Sequence, residues 1–356
     1  MLHKAEGLRK SSDYKAALRL YQEAFSLARK AGDPYAALST AIALGDTCRM
    51  IGSFEDAIGH YTEALDLCQA LQDPLAEADC LVGTGLAQRA LGQWKTALKD
   101  ITAARTIYKK AGDEKGVIFC TWAEAGVWRV AGEVAKALKL FEAARHGFER
   151  LGFKSGIGYS LCGLGGSNRV AGRYDRSMKY YTEANTLFRR IKDSFGTAYS
   201  HCGIGNAYRM AEDYRNALTH FEKASQLYEK IGDIVSYSYT IWSLANVHML
   251  HGEFKEAETL LKKSEKNFEK TKDPRGLIYC DMTKAEIKFL KGDKISSENL
   301  IAEALDKAKN YGFKLEACHA KALLCVLKGR PLKKIRADYS KIGVRYFPSK
   351  IPSNMP

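Results

Sequence analysis

Proline is scarce: seven residues in 356, three of them in the last eleven positions. The rest of the chain has none of the Pro- and Gly-dominated composition of collagen-like or disordered segments. No apolar run approaches the ~20 residues of a membrane-crossing helix, so no span is predicted. The opening MLHKAEGLRKSSDYKAALRL lacks the apolar core of a cleaved signal, and its periodicity is already helical. Cytoplasmic residence is the expectation. The nine cysteines are an odd number, scattered through helical patterns with no CxxC pair. Reduced thiols, mostly buried as small apolar residues, fit that usage better than a disulfide scaffold.

Catalytic signatures are missing as well. There is no Ser-His-Asp set, glycine-rich phosphate loop or HExxH, so neither catalysis nor a cofactor is predicted. GLGG at 163–166 lies inside a helical pattern rather than after a strand. Cys162, His201 and Cys202 lack a fourth partner for a tetrahedral metal, and residues adjacent on a helix diverge, so no metal site is predicted. Negative charge is in short supply, with 41 Asp and Glu against 55 Lys and Arg, a net +14. Half of that excess lies after Leu327, where eight cations face Asp338 alone. A basic balance favours anionic partners without naming the anion.

What is present is a repeat. Gly32-Asp33, Gly112-Asp113 and Gly232-Asp233 mark one slot, which elsewhere reads Gln72-Asp73, Gly152-Phe153, Lys192-Asp193, Lys272-Asp273 and Gly312-Phe313. Every step is 40 residues. A second column follows 20 residues later at Gly52, Gly92, Gly132, Gly172, Glu212, Gly252 and Gly292. Glycine just past a helix C-terminus accepts the left-handed conformation. Asp followed by Pro, as at 33–34, 73–74 and 273–274, suits an N-cap and first helical residue. Each unit is thereby divided into two helices, A and B. Helix A carries a small-residue column (Gly45, Gly85, Ala125, Gly165, Gly205, Ala245, Ala285). Helix B carries aromatic-x-x-small pairs, among them Phe54/Ala57, Tyr61/Ala64, Tyr181/Ala184 and Phe221/Ala224. Large residues over small ones at helical spacing make antiparallel hairpins, and stacked hairpins bury a continuous core.

These columns resemble the tetratricopeptide repeat, most clearly in GNAYRMAEDYRNALTHFEKASQLYEKIGD at 205–233. The 40-residue period is similar to the longer-helix variant of kinesin light chains and spindle-orientation adaptors. The resemblance implies an all-α fold, a right-handed superhelical solenoid of antiparallel helix pairs. Residues 1–33 read as a partial N-terminal repeat, 34–313 as seven 40-residue repeats, 314–330 as a capping helix and 331–356 as a basic, proline-containing tail, extended and partly ordered. Solenoid ends need capping. The short first helix is therefore expected either to follow an upstream segment or to self-associate with another chain.

One column is not explained by packing. The last turn of helix A places Arg9, Arg49, Arg89, Arg129, Arg169 and Arg209 at 40-residue intervals, before Met249 and Phe289. Arginine lies four residues after the small column, about 40° around the helix. The repeat resemblance implies that this face lines a concave groove. The same face carries Asp46, Leu86, Gly126, Gly166, Asn206 and Asn246 three residues earlier, with Trp122, Trp242, Tyr159, Tyr199 and Tyr239 further back. Gly126 and Gly166 are expected to leave the floor open. With neighbouring A helices ~10 Å apart, an extended chain at ~3.3 Å per residue would meet one rung every three residues.

The candidate ligand-binding set is therefore Arg49, Arg89, Arg129, Arg169, Arg209, Asn206, Asn246, Tyr159, Tyr199, Tyr239, Trp122 and Trp242. An acidic, extended peptide segment would use bidentate guanidinium–carboxylate bonds, with aromatic contact between the acids. Asn206 with Arg209 resembles part of the carboxylate clamp of some tetratricopeptide domains, without its lysine. The competing reading is that each Arg pairs with an acid of a neighbouring helix, and for Glu124 a partner in Arg129 is expected. The predicted function is a non-catalytic protein-interaction scaffold. Single-stranded nucleic acid, which also meets interleaved Arg and aromatics, and a small or lipid-like molecule enclosed by the superhelix are the alternatives.

Overall fold

The computed structural model describes residues 1–346 and 348–355; Phe347 and Pro356, both within the expected tail, lie outside the described residues. Eighteen helices and no strand occur among the described residues. The first three hairpins are α1 (Leu2–Lys10) with α2 (Tyr14–Ala31), α3 (Pro34–Met50) with α4 (Phe54–Leu71), and α5 (Pro74–Ala90) with α6 (Trp94–Ala111). Next come α7 (Glu114–Val130) with α8 (Val134–Arg150), α9 (Lys154–Val170) with α10 (Tyr174–Arg190), and α11 (Ser194–Met210) with α12 (Tyr214–Ile231). The last are α13 (Ile234–Leu250) with α14 (Phe254–Thr271), α15 (Pro274–Leu290) with α16 (Lys294–Tyr311), and α17 (Lys314–Leu327) with α18 (Lys333–Lys341). Among the described residues no helix is long and apolar enough to cross a membrane.

The caps follow from the sequence. Asp33, Asp73, Asp113, Asp193, Asp233 and Asp273 each accept the backbone N–H of a first-turn residue. Gly32, Gly112, Gly232 and Gly312 close the B helices in the left-handed conformation, and Gln72 and Lys272 adopt it without that freedom.

The small column has a definite partner. A methyl placed at Gly165 would lie 2.8 Å from the Tyr181 ring, and one at Gly203 would lie 2.2 Å from it. Tyr61 is wedged in the same way between Gly45 and Gly83. Tyr61 and Tyr181 are therefore each clasped between their own A helix and the next one. That doubled contact transmits packing from unit to unit.

The superhelix then closes on itself. The Trp94 indole N–H donates to the Tyr311 carbonyl at 2.9 Å, although the two residues are 217 apart in sequence. At 40 residues per unit this is about five and a half units per turn. Lys272 meets Glu55 at 2.5 Å, and Lys314 pairs with Glu133 across the same seam. The interior is thus enclosed by successive turns, where an open concave face was expected.

The tail also differs from expectation. Residues 333–341 form α18, whose Ile335 and Tyr339 pack with Val134, Val170, Leu315 and Cys318. Burial of that apolar face holds the basic segment in place. Beyond it the Arg345 N–H donates to the Ala171 carbonyl at 3.2 Å, and the chain runs inward to a fully buried Met355.

Candidate functional site

The last turns of α3, α5, α7 and α9 direct Arg49, Arg89, Arg129 and Arg169 into two adjoining interior cavities of about 380 and 250 Å³. Both cavities are lined by Arg89, Arg129, Tyr199 and Val235. Asn206, Tyr239 and Trp242 line the smaller one, and Trp122 and Tyr159 the larger. Ten of the twelve expected residues therefore border these two adjoining cavities. Arg209 and Asn246 do not: both are completely buried. The Asn246 amide donates to the Trp242 carbonyl at 2.8 Å on its own helix.

Pairing separates the arginines into three groups. Arg9 is held by Glu6 at 2.8 Å, and Arg49 by Asp46 at 3.4 Å and the Tyr61 hydroxyl. Both acids lie on the arginine's own helix, one turn back. Arg89, Arg129 and Arg169 have no ion-pair partner among the described residues, and the Nε atoms of Arg129 and Arg169 are buried without an acceptor. Burial, and then the charge of Arg129, bring the Arg89 ionisation down to about 10. Unpaired guanidiniums in a partly desolvated space are costly unless an anion enters.

Gly126 and Gly166 do not leave the floor open. A methyl at Gly126 would lie 2.3 Å from Nη1 of Arg89, and one at Gly166 would lie 2.8 Å from Nη1 of Arg129. Each glycine makes room for the arginine of the preceding unit. The charged groups are packed onto the next A helix, and the expected vacancy is filled by guanidinium.

One wall is aromatic. Phe119 and Trp122 stack at 5.5 Å, Trp122 meets Tyr159 at 6.4 Å, and Phe195 stacks on Tyr199 at 6.2 Å. The Tyr159 hydroxyl donates to Asp193 at 2.9 Å, and the Trp122 indole nitrogen is buried without an acceptor. Acids also reach the lining. Asp233 caps α13 and is pushed up to about 6 by burial, and Asp273 caps α15. Arg275 is bound to the buried Glu316 at 2.5 Å.

Arg209 is engaged differently. Asn206 Oδ1 accepts from its Nε and Nη2, while Asn354 Oδ1 accepts from Nη1 at 2.5 Å and the Met355 carbonyl from Nη2 at 2.7 Å. Burial, and next the charge of Arg169, lower its ionisation to about 10. Glu286 accepts from the Ser353 N–H at 2.5 Å and from its hydroxyl at 2.7 Å. Glu286 was not among the expected residues, yet it continues the 46-86-126-166-206-246 column by one more step. Glu124 pairs with Arg105 of α6 at 2.7 Å and accepts from the Trp128 indole, where Arg129 was the expected partner. His201 lies 3.1 Å from His220 of α12 rather than beside a metal-binding set; among the described residues no group of three His, Cys, Asp or Glu gathers.

Hairpins in a 40-residue rhythm, wound around an arginine-lined interior, define a helical-repeat solenoid with an internal groove. The tetratricopeptide-repeat profile matches residues 1–70 and 156–230, so the chain carries tetratricopeptide repeats in both segments. Three solved structures share the fold. A Rap protein complexed with Competence and Sporulation Factor is 13% identical, over 95% of this chain and 98% of that one, with a TM-score of 0.62. The Rap conjugation gene regulator of plasmid pLS20 with the Phr* peptide is 17% identical, over 80% and 77%, at 0.66. NprR with its cognate peptide NprX is 16% identical, over 96% of both chains, at 0.61. No curated protein sequence matches the chain.

Proposed function

We propose that this chain is a non-catalytic, cytoplasmic peptide-binding module whose interior groove takes a short acidic segment of a protein or peptide. The observation that carries the reading is the trio Arg89, Arg129 and Arg169, set on consecutive A helices around one space and lacking a carboxylate partner among the described residues. Carboxylates spaced along an extended ligand would meet successive guanidiniums, and the Phe119–Trp122–Tyr159 wall would take the apolar side chains between them. The cavities lie within or just under the ~300–1,000 Å³ range of ligand sites, which favours a few residues over a long strand. That the Rap and NprR structures hold peptides supports the same class of partner.

The test is fluorescence anisotropy with a labelled peptide bearing Glu at every third position, beside its Gln counterpart. Tight binding of the Glu peptide alone is expected, weakened ~10- to 100-fold by Arg129→Ala, the range of a charge-assisted hydrogen bond. Equal binding of both peptides would refute the acidic reading. Binding of a labelled oligo-dT that falls steeply with salt, and is lost in Arg129→Ala, would replace it with nucleic acid.

A further inference from the structure

Where the arginine column gives way to Met249 and Phe289, the chain supplies its own occupant. Residues 351–355 are neutral, although the segment that leads to them is strongly basic. Ser353 and Met355 are buried, at 2% and 0% exposure. Three elements grip them. Arg209 at the end of α11 binds an amide oxygen and a backbone carbonyl, and the Asn354 amide donates back to the Arg209 carbonyl at 2.8 Å. Glu286 of α15 takes both donors of Ser353. Met355 and Ile351 join the apolar cluster that contains Trp242 and Met249 of α13.

These contacts are specific in kind. A carboxylate at position 353 would face Glu286, whereas a hydroxyl and an N–H satisfy it. The Arg209 fork is filled by neutral oxygens, not by an acid. Met in place of the seventh arginine removes a charge where the Met355 side chain enters. The subsite therefore discriminates by hydrogen-bond donors and apolar shape, unlike the cationic groove beside it.

We propose that Arg209, Asn206 and Glu286 form a second peptide subsite that reads a neutral Ser-Asn-Met segment, that residues 351–355 are its tethered occupant, and that any ligand reaching from the groove to Glu286 must displace them. The displacement rests on the peptide-binding reading of the groove; the tail's own recognition does not. Losing the Ser353 hydroxyl and the Asn354 amide removes every hydrogen bond shown from the occupant's side chains, while Met355 is left unchanged so that the weakened tail still covers the core when no peptide is added.

The full chain with Ser353→Ala/Asn354→Ala is compared with the parent, using a labelled, amidated peptide of the sequence Lys350–Met355 added in trans. The variant should take up the peptide at least tenfold more tightly than the parent, and adding Arg209→Gln should abolish the gain. Equal binding to parent and variant, or none to either, overturns the proposal. Hydrogen exchange provides a second reading without any ligand. Amides of 353–355 should be protected in the parent and exchange at least tenfold faster in the variant; unprotected amides in the parent overturn it. The Glu-rich peptide of the preceding section is titrated in parallel. Its failure with the tail peptide bound removes the acidic-groove reading alone, and the reverse pattern removes the tail subsite alone.

Discussion

Replacing Arg89 with Met is expected to leave the ligand-free chain as stable as the parent, or more so. The guanidinium sits in a partly buried space beside Arg129, without a carboxylate or hydrogen-bond acceptor among the described residues, and its ionisation falls from 12.5 to about 10. A cation whose folded value lies below its unfolded one costs stability at every pH below the folded value. That cost fades as pH rises from about 10 to 12.5, and at pH 7 it is present in full. Two and a half units at ~1.4 kcal/mol each bound it at about 3.5 kcal/mol. Methionine keeps most of the aliphatic stem, and the substitution strands no partner. The space left over Gly126 subtracts part of the gain, so a net benefit of ~1–2 kcal/mol is expected. Thermal unfolding at pH 7 reads this as a rise of a few degrees. The same variant should bind the Glu-rich peptide more weakly. A loss of stability greater than ~1 kcal/mol would refute the reasoning, because it would mean that Arg89 stabilises the ligand-free chain.

Two further outcomes follow from the packing. Gly203→Ala places a methyl 2.2 Å from the Tyr181 ring, already clasped by Gly165, and should cost ~1–3 kcal/mol in chemical denaturation; Gly7→Ala, with open space around it, should be neutral or stabilising. Equal effects at both positions would sink the clasp. Glu286 is pushed up from 4.5 to about 8 by burial, so the folded chain holds a proton that the unfolded chain has released. Its contribution is greatest below pH 4.5 and declines by ~1.4 kcal/mol per unit up to about 8, above which it is flat. Glu286→Gln should remove that decline, and denaturation midpoints with the same pH slope in both proteins would exclude it.

The repeat was legible because duplication wrote the same local instructions at 40-residue intervals. The Asp caps, the left-handed Gly closures and the small column opposite the helix B rings are short-range signals, and they predict each helix without reference to its neighbours. The arginine column was visible for the same reason. Its partners were not. That Arg89 lies over Gly126 and Arg129 over Gly166 depends on how far one A helix is rotated against the next, which no single unit encodes. Glu286 was within reach, since it continues the column that holds Asn206 and Asn246. Its meaning required the tail.

The sequence by itself determined an all-helical array, the bounds of nearly every helix and one face rich in arginine and aromatics, because periodicity and capping act within a few residues. Tertiary structure alone decided that the solenoid closes, that Trp94 meets Tyr311, and that residues 353–355 return to Arg209 and Glu286. Those contacts join positions 67 to 217 residues apart. The Trp94–Tyr311 closure arises from small rotations between hairpins summed over about five units, and the tail contacts from a segment that folds back across the interior. A rotation of that size leaves no mark on the local pattern, yet it sets whether the arginines face an open surface or an enclosed channel.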